Sequence, residues 1–339
     1  MTRRLASGAL LAAFAAGVAP VVAQTSGKHW TFTGFFENDL FADTDRRYTN
    51  GIKLAWVSPD LSEYRDSPRL PAWSHALIDR LPFIHQPGLQ RNIAVSIGQS
   101  MYTPSDITRT DLVRDDRPYA GWLYGSLAFH NRKAEWLDII EVQAGLVGPL
   151  SLAEQAQDLV HSARGIDKAR GWDHQLENEP GLNLIWERKW RLAAYGLERG
   201  LGADLLAHAG ASLGNVSTYA NAGGEVRLGW NIPLDFGTAL IRQSGITDAP
   251  VTGAERRPGV HVFASVDARA VGRDIFLDGN TFADSHHVDR EPLVADLALG
   301  VSLVYGNFKL SLSNAWRTRE FRGQDDTQRF GSIALSFSY

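Results

Sequence analysis

The chain has 339 residues, of which 44% are hydrophobic and 21% charged, and its formal net charge is -4. This composition is typical of a globular or barrel-forming chain and excludes a disordered one, while the near-neutral charge gives no electrostatic footprint for nucleic acid. Because the chain contains no cysteine, disulfides, cysteine–zinc sites and thiol nucleophiles are also excluded.

The first 23 residues have the features of a secretory signal peptide. Arg3 and Arg4 precede a stretch rich in Ala, Leu and Val, and Ala23 ends a small-residue cleavage site. We therefore expect residues 1–23 to be removed and residues 24–339 to form one domain. No later stretch approaches the roughly 18 to 20 uninterrupted apolar residues of a membrane helix. The mature chain is thus predicted to be periplasmic, secreted or an outer-membrane barrel.

The stretch from Phe36 to Trp56 combines two strand-like flanks with a polar centre. In both flanks side chains alternate with period two, which places one set on each face of a sheet. Asn, Asp, Thr and Gly are also common in solvated hairpin loops, so this pattern alone leaves a loop and a site as alternatives. The polar centre includes Glu37, Asn38, Asp39, Asp43, Asp45 and Thr49.

The same alternation recurs along the chain in segments of similar length, separated by polar, Gly-bearing or Pro-bearing stretches. An even number of such segments, each long enough for a tilted crossing, predicts a transmembrane antiparallel β-barrel of about 12 strands. The predicted strands cover residues 29–37, 51–57, 92–101, 120–131, 136–146, 181–190, 202–213, 218–230, 260–271, 293–305, 308–318 and 330–339.

Two further features favour a membrane barrel over a soluble sandwich, which would show similar periodicity. From Leu293 to Tyr305 the odd positions are mostly large and apolar while the even positions include Asp296, as expected for a lipid face and a polar lumen. The last predicted strand ends on an aromatic residue, Tyr339, as outer-membrane barrels commonly do. Residues predicted to form interfacial girdles are Trp30, Trp56, Trp122, Tyr124, Trp186, Trp190, Trp230, Tyr305 and Trp316.

Four connections are longer than a hairpin needs. Residues 58–91, 232–259 and 272–292 are rich in Pro, Gly or Asp, and we predict that all three are extracellular. The fourth connection lies between the predicted strands 136–146 and 181–190. Its sequence predicts a helix that is capped by Ser151, has Glu154 as the capping-box partner, and ends at Gly165. Gln157 and His161 share one face of this helix. The helix either roofs a site on the barrel rim or presents this face to solvent.

Several short motifs are specific in their combined order and spacing, and through them the chain resembles the outer-membrane lipid A 3'-O-deacylases, the LpxR-like family. The resemblance covers nearly the whole mature chain. The motifs are Glu37-Asn38-Asp39, Tyr48-Thr49-Asn50-Gly51, Gln99 with Tyr102-Thr103-Pro104-Ser105, Asp116-Arg117-Pro118-Tyr119-Ala120-Gly121, Gln157 with His161, Trp172, Gln175-Leu176-Glu177-Asn178, and Phe321-Arg322 with Asp325-Asp326.

The resemblance implies a twelve-stranded barrel whose active site lies between the barrel wall and a loop helix at the outer-leaflet end. It implies hydrolysis of the ester that holds the 3'-linked acyloxyacyl group on lipid A, with a Ca2+ requirement. His161 matches the catalytic histidine, and Gln157 matches the glutamine one turn before it. The residues that match strand-borne polar positions of the site are Asn38, Asp39 and Thr49.

The resemblance is looser at the substrate-binding positions. Arg109 falls where the family has a basic residue, but Thr110 replaces a second one, and Asp167 stands where the better-known member has Glu. Because lipid A carries phosphates, a basic rim is expected. The candidates are Arg109 and Lys168, with Arg114, Arg117 and Arg170.

The residues also suggest a mechanism. The mature chain contains no Gly-x-Ser-x-Gly motif, so a serine nucleophile has little support. A histidine can instead deprotonate water directly, and we assign that role to His161, with Gln157 or a neighbouring carboxylate orienting its ring. Oxygen ligands from Asn38, Asp39 and Thr49 would suit a calcium ion, which would stabilise the oxyanion. An ion pair of Asp39 with Arg46, Arg47 or Arg117 is the structural alternative.

The functional expectation is therefore a monomeric outer-membrane ester hydrolase acting on lipid A in the outer leaflet. Three other readings remain open. The chain could be an outer-membrane phospholipase, a passive porin-like barrel whose polar centre lines a pore, or a family member without activity.

Overall fold

The computed structural model describes residues 29–38, 48–67, 70–82, 84–165, 167–238 and 257–339, without the side chains of residues 48, 49 and 164. The predicted signal peptide, Asp39, and the arginines at 46 and 47 lie outside these ranges. Twelve antiparallel strands form a closed barrel in which each strand pairs with its sequence neighbours and β12 pairs with β1. The prediction of a barrel of about 12 strands with a short loop helix is confirmed.

The strands are β1 Thr31–Asn38, β2 Tyr48–Val57, β3 Gln90–Tyr102, β4 Ala120–Arg132, β5 Trp136–Val147, β6 Glu179–Tyr195, β7 Leu201–Gly214, β8 Ser217–Trp230, β9 Gly259–Asp274, β10 Leu293–Tyr305, β11 Phe308–Arg317 and β12 Gln328–Ser338. In the described parts of the connections there are three α-helices, α1 His75–Ile78, α2 Ala153–Arg164 and α3 Ile275–Asp278. No helix among the described residues is long and apolar enough to cross a membrane.

The outer wall of the barrel is apolar because the strands alternate as predicted. In β10 the side chains of Leu293, Leu297, Leu299 and Leu303 are exposed, and the residues between them are mostly buried in the interior. An apolar side chain every second residue is what a lipid-facing wall requires.

The lumen holds buried ion pairs that join non-neighbouring parts of the chain. Asp296 accepts hydrogen bonds from Arg317 at 2.7 Å and from Arg269 at 3.0 Å. Asp235, in the connection after β8, pairs with Arg227 and Lys309. The Asp296 pairs join adjacent strands, and the pair of Asp235 with Lys309 links the connection after β8 to β11, so together they stabilise the barrel from its interior.

The α2 end of the lumen is filled by an apolar cluster. The Tyr102 and Phe276 rings stack with centroids 4.2 Å apart, and Trp122 and Tyr124 are buried beside them. The prediction that Trp122 and Tyr124 belong to an interfacial girdle is therefore wrong, because even positions of β4 point inward. Within the described part of the chain this packing disfavours the passive-pore alternative.

Strand parity assigns each connection to one end of the barrel. Both described chain ends lie at the end opposite α2, where Trp30 and Tyr339 exchange backbone hydrogen bonds of 3.0 and 2.9 Å. The connections after β2 and β8 lie at this end, and only the connection after β9 lies at the α2 end. The prediction that all three are extracellular is therefore wrong, since an odd number of strands separates the first two from the third.

Candidate functional site

Helix α2 packs against the outer wall of the barrel, over β3 and β4. The register pairs Leu54 with Ile97, both of which are exposed to the outside. Stepping along the strands by two residues places Asn50, Met101 and Gly121 on the same outer face. Met101 lies in one apolar cluster with Ala153 of α2. The helix thus covers wall that would otherwise face lipid.

Close approach of α2 depends on small residues at the contact. A Cβ atom added to Gly121 would lie 2.0 Å from the Ser151 Oγ and 2.4 Å from the Ala153 Cβ. Gln99, on the same outer face, donates from Nε2 to the Ser151 carbonyl at 2.6 Å. One glycine and one alanine therefore set the distance of the helix from the wall.

The ends of α2 agree only partly with the sequence prediction. Gly165 ends the helix at φ 68, as expected of glycine in the left-handed region. At the other end Ser151 is not the cap; it lies in a one-turn 3₁₀ helix, and Leu152 takes the cap position at φ 58 without a side-chain cap bond. The capping-box prediction with Glu154 is wrong because contact with Gly121 buries Ser151.

The face of α2 turned to the wall is polar. Gln157 and His161 are each 1% exposed, whereas Leu159 on the opposite face is 72% exposed. The Trp172 Nε1 donates to the Gln157 Oε1 at 2.8 Å. The Gln157 Nε2 has no hydrogen-bond partner among the described residues. Of the two possibilities left by the sequence, the structure favours a helix that roofs a buried site.

The imidazole of His161 has a defined orientation. Its Nδ1 lies 2.6 Å from the Asp167 carbonyl oxygen. Because a carbonyl can only accept, Nδ1 must carry the proton in that bond, and the neutral ring then has its lone pair on Nε2. The exposed Asp167 contributes this backbone oxygen, so its side-chain length does not affect this contact with His161.

Gly121, Met101 and Asn50 form a row of outward-facing residues on neighbouring strands, and Asn38 continues this row onto β1. Asn38 and Asn50 are directly opposite each other in β1 and β2, and each is 3% exposed. The Asn50 Oδ1 has no hydrogen-bond partner among the residues that the structure describes. With strands about 4.8 Å apart, Asn38 lies roughly 10 Å from the strand that carries Met101. The row therefore reaches the wall on which α2 packs.

The predicted metal ligands are placed incompletely. Asp39 lies outside the described residues, and Thr49 is placed by its backbone alone. There the β2–β3 register skips Thr49, so this residue forms a β-bulge of the kind often found beside active sites. Within the described ranges no group of three or more His, Asp or Glu could hold a metal ion. A calcium site here would depend on amide and backbone oxygens together with Asp39, a donor set that suits this hard cation.

The predicted basic rim divides into two groups. Arg109 and Lys168 are exposed on loops beside α2, and they pair with Asp111 and, at 2.6 Å, Asp158. Burial of Arg117 is complete, and it bonds Glu320 in the lumen at 3.2 Å. The assignment of Arg117 to the rim is therefore wrong, whereas its suggested pairing with Asp39 involves a residue outside the described ranges.

Sequence reasoning missed residues that position the site without performing chemistry. Gly121 allows close contact, Met101 supports the helix, and Asn50 presents a buried amide oxygen. Gln99 and Trp172 hold the helix and Gln157 in place. Four of these five were within the quoted motifs, but only register and contacts show what each one does.

Comparison with known proteins agrees with this architecture. The sequence model of the family described as "Outer membrane protein LpxR" matches residues 9–339. The solved structure of LpxR from Salmonella typhimurium superposes with a TM-score of 0.72 at 20% identity, covering 91% of this chain and 99% of that one. At this identity the likeness shows the fold. No curated protein matches the chain.

Autotransporter barrels are more distant. The β domain of the Bordetella autotransporter BrkA gives a TM-score of 0.41 at 9% identity, covering 93% of this chain and 99% of that one. The translocator domain of NalP from Neisseria meningitidis gives 0.35 at 8% identity, covering 92% and 89%.

Proposed function

The chain belongs to the LpxR family of outer-membrane proteins, and on that premise we propose that it is an ester hydrolase that removes the 3'-linked acyloxyacyl group from lipid A. The observation that carries the proposal is the buried His161, held by the Asp167 carbonyl on the wall-facing side of α2. A soluble substrate would not need a site on the outside of a barrel, whereas a lipid can reach it laterally from the leaflet.

In the proposed reaction His161 is the general base. Its Nε2 takes a proton from water, and the resulting hydroxide attacks the ester carbonyl. When the tetrahedral intermediate collapses, the imidazolium returns the proton to the departing sugar oxygen. The products are a free 3'-hydroxyl and a carboxylic acid. Asp167 keeps the ring in the tautomer that this step needs.

Gln157 is proposed to stabilise the oxyanion. Since its Oε1 already accepts a bond from Trp172, the Nε2 is the atom that remains able to donate. A positioned amide donor of this kind contributes about 10²- to 10³-fold in rate. This role differs from the ring-orienting role predicted from sequence, because the Asp167 carbonyl already orients the ring.

Calcium is proposed as a cofactor held by Asn38, Asp39 and Thr49. When bound, it would supply Lewis-acid polarisation of the scissile carbonyl. The buried amides of Asn38 and Asn50, facing each other across β1 and β2, provide the oxygen chemistry that calcium prefers. Arg109 and Lys168 are proposed to contact the phosphates of lipid A, since both are exposed beside α2.

The test is mass spectrometry of lipopolysaccharide incubated with purified protein, with and without a calcium chelator. Wild type should remove one acyloxyacyl group, and His161→Ala should slow this about 10²- to 10⁴-fold. The matched control is Ser162→Ala, because Ser162 is the exposed neighbour of His161 on α2.

Three other results of this experiment would replace, refute or modify the proposal. Cleavage of glycerophospholipid in place of lipid A would replace the proposal with the phospholipase. Unchanged lipids in every sample would refute hydrolysis. Deacylation that survives His161→Ala would keep the reaction and reject the mechanism.

A further inference from the structure

The described residues of the connection between β2 and β3, which are 58–67, 70–82 and 84–89, lie against the outside of the barrel, and we name them the foot. Leu61 and Arg91 exchange backbone hydrogen bonds of 2.8 and 3.3 Å, and Ser58 donates from its backbone to Ile93 at 2.8 Å. The Arg91 guanidinium donates to the Ile84 carbonyl at 2.6 Å. These bonds fix the foot to the wall at the end of the barrel that holds the termini.

The inner side of the foot covers wall positions that face outward. Tyr64 and Ile84 of the foot form one buried apolar cluster with Ile93 of β3 and Phe129 of β4. The Tyr64 and Phe129 rings meet edge to face with centroids 5.2 Å apart, and the Tyr64 hydroxyl donates to the Asn131 side chain at 3.0 Å. Here the foot takes the place that lipid has elsewhere on the wall.

Around Trp73 and Leu77 the outer side of the foot is apolar and exposed. Trp73 is 73% exposed and Leu77, four residues later, is 57% exposed. Ala76 is exposed as well, and the exposed Arg80 follows Leu77 by three residues. At helical spacing these residues share one face. An exposed tryptophan and leucine beside an arginine is the composition of a segment that lies in a membrane interface.

The position of this face relative to lipid supports the same conclusion. The foot lies below Val95 and Ile97, the next outward residues of β3, which are 44% and 49% exposed. Exposed aromatic residues, Trp230, Tyr305 and Tyr339, mark the same end of the barrel. Aromatic side chains concentrate where acyl chains meet headgroups. The apolar face of the foot is thus continuous with the lipid-facing wall.

We propose that the foot is a membrane-interface anchor. Trp73 and Leu77 insert at the boundary of headgroups and acyl chains, and Arg80 contacts headgroup phosphate. The end of an outer-membrane barrel that holds both termini faces the periplasm, so the lipid is glycerophospholipid of the inner leaflet. This inference depends on the outer-membrane location and is independent of the proposed deacylase activity.

The absence of cysteine from the chain allows a clean test. Single variants Trp73→Cys and Leu77→Cys are labelled with an environment-sensitive fluorophore and refolded into phosphatidylcholine vesicles containing a nitroxide lipid. Ile97→Cys is the lipid-facing control. Ser62→Cys is the matched foot control, because Ser62 is exposed and only its backbone oxygen contacts Arg91.

We expect labels at 73 and 77 to be quenched by the nitroxide lipid severalfold more than the label at 62, and to approach the label at 97. Water-like emission with quenching equal to that at 62 would overturn the proposal. Apolar emission without lipid quenching would also overturn it, because another protein surface would then cover the face. Folding is checked by heat-dependent gel mobility, and Ala76→Cys replaces any variant that does not refold.

Discussion

The lumen and the contact between α2 and the outer wall are both buried and polar, but buried ion pairs are concentrated in the lumen. In the lumen, carboxylates meet guanidinium or ammonium groups, as at Asp235 and Asp296. At the contact of α2 with the wall the groups are amides and an imidazole, and the Gln157 Nε2, like the Asn50 Oδ1 on the neighbouring strand β2, has no partner among the described residues.

The two kinds of polar group suit different roles: the ion pairs stabilise the fold, and the neutral groups can take part in a reaction. Opposite charges satisfy each other and cross-link strands, so removing one partner leaves an uncompensated buried charge. Neutral groups with remaining hydrogen-bonding capacity can serve a ligand or a transition state without first breaking a strong pair. Changes in the lumen should therefore affect stability, and changes under α2 should affect activity.

The largest effect is expected in the lumen. Asp235→Asn leaves Lys309 with a neutral partner while Arg227 keeps Asp204, and we expect a loss of about 3 to 5 kcal/mol in unfolding free energy. The protein that remains folded should keep its rate in the proposed deacylation, because Asp235 lies at the far end of the barrel from α2. Denaturant unfolding in detergent measures the first quantity and lipid A mass spectrometry the second.

The same residue predicts a dependence on pH. Burial alone would raise the pKa of Asp235. The positive charges of Lys309 and Arg227 lower it by more than burial raises it, so the net pKa lies below its ordinary value. Its contribution is therefore complete above the ordinary pKa of about 3.9 and is lost as pH falls below it. Asp235→Asn should lack this acid-dependent part of the unfolding free energy, and an identical acid profile for both proteins would contradict the assignment.

Gly121→Ala should lower activity while the barrel still folds, which is the reverse of the result expected for Asp235→Asn. The added Cβ would overlap Ser151 and Ala153 and push α2 away from the wall. A displacement of about 1 Å in a catalytic group costs on the order of 10²-fold in rate, so initial-rate assays should show that loss while the barrel still folds. Gly125→Ala is the matched control on the same outer face of β4, since its Cβ would lie 3.8 Å from the nearest atom. Equal activity of both variants would show that α2 spacing is not critical.

The smallest effect is expected at Trp172. Trp172→Phe removes the donor to Gln157 but keeps most of the aromatic packing against Tyr119. A lost hydrogen bond of this kind costs about 0.5 to 1.5 kcal/mol, so we expect activity to fall by no more than about tenfold. A fall of this size in steady-state kinetics, with unchanged thermal stability, would support this role. Unfolding of the protein would instead show that Trp172 is needed for the core.

The sequence was a good guide wherever a local period decided the structure. Twelve alternating segments predicted the twelve strands, and helical spacing placed Gln157 and His161 on one face of α2, although the sequence left open whether that face meets the wall or solvent. Periodicity does not identify the inward face of a strand that has aromatic residues on both faces. Trp122 and Tyr124 were therefore predicted to face lipid, although they fill the lumen.

The remaining errors came from tertiary effects on local signals. Ser151 is a residue type that favours the cap position of a helix. In the structure it packs against Gly121, and Leu152 takes the cap position. Long connections were assigned to one side by loop length, although counting strands would have separated them. The bond from His161 to the Asp167 carbonyl joins residues with no motif in common, so only the folded chain reveals it.

The strand pair that closes the barrel has a consequence for assembly. The hydroxyls of Thr31 and Ser338 lie 2.9 Å apart, although 307 positions separate them in sequence. Contacts so distant slow folding, because a very long loop must be closed before they form. Until β12 reaches β1 the sheet keeps two open edges, whose backbone groups cannot be satisfied in hydrocarbon. Closure of the barrel in hydrocarbon therefore depends on the pairing of β12 with β1.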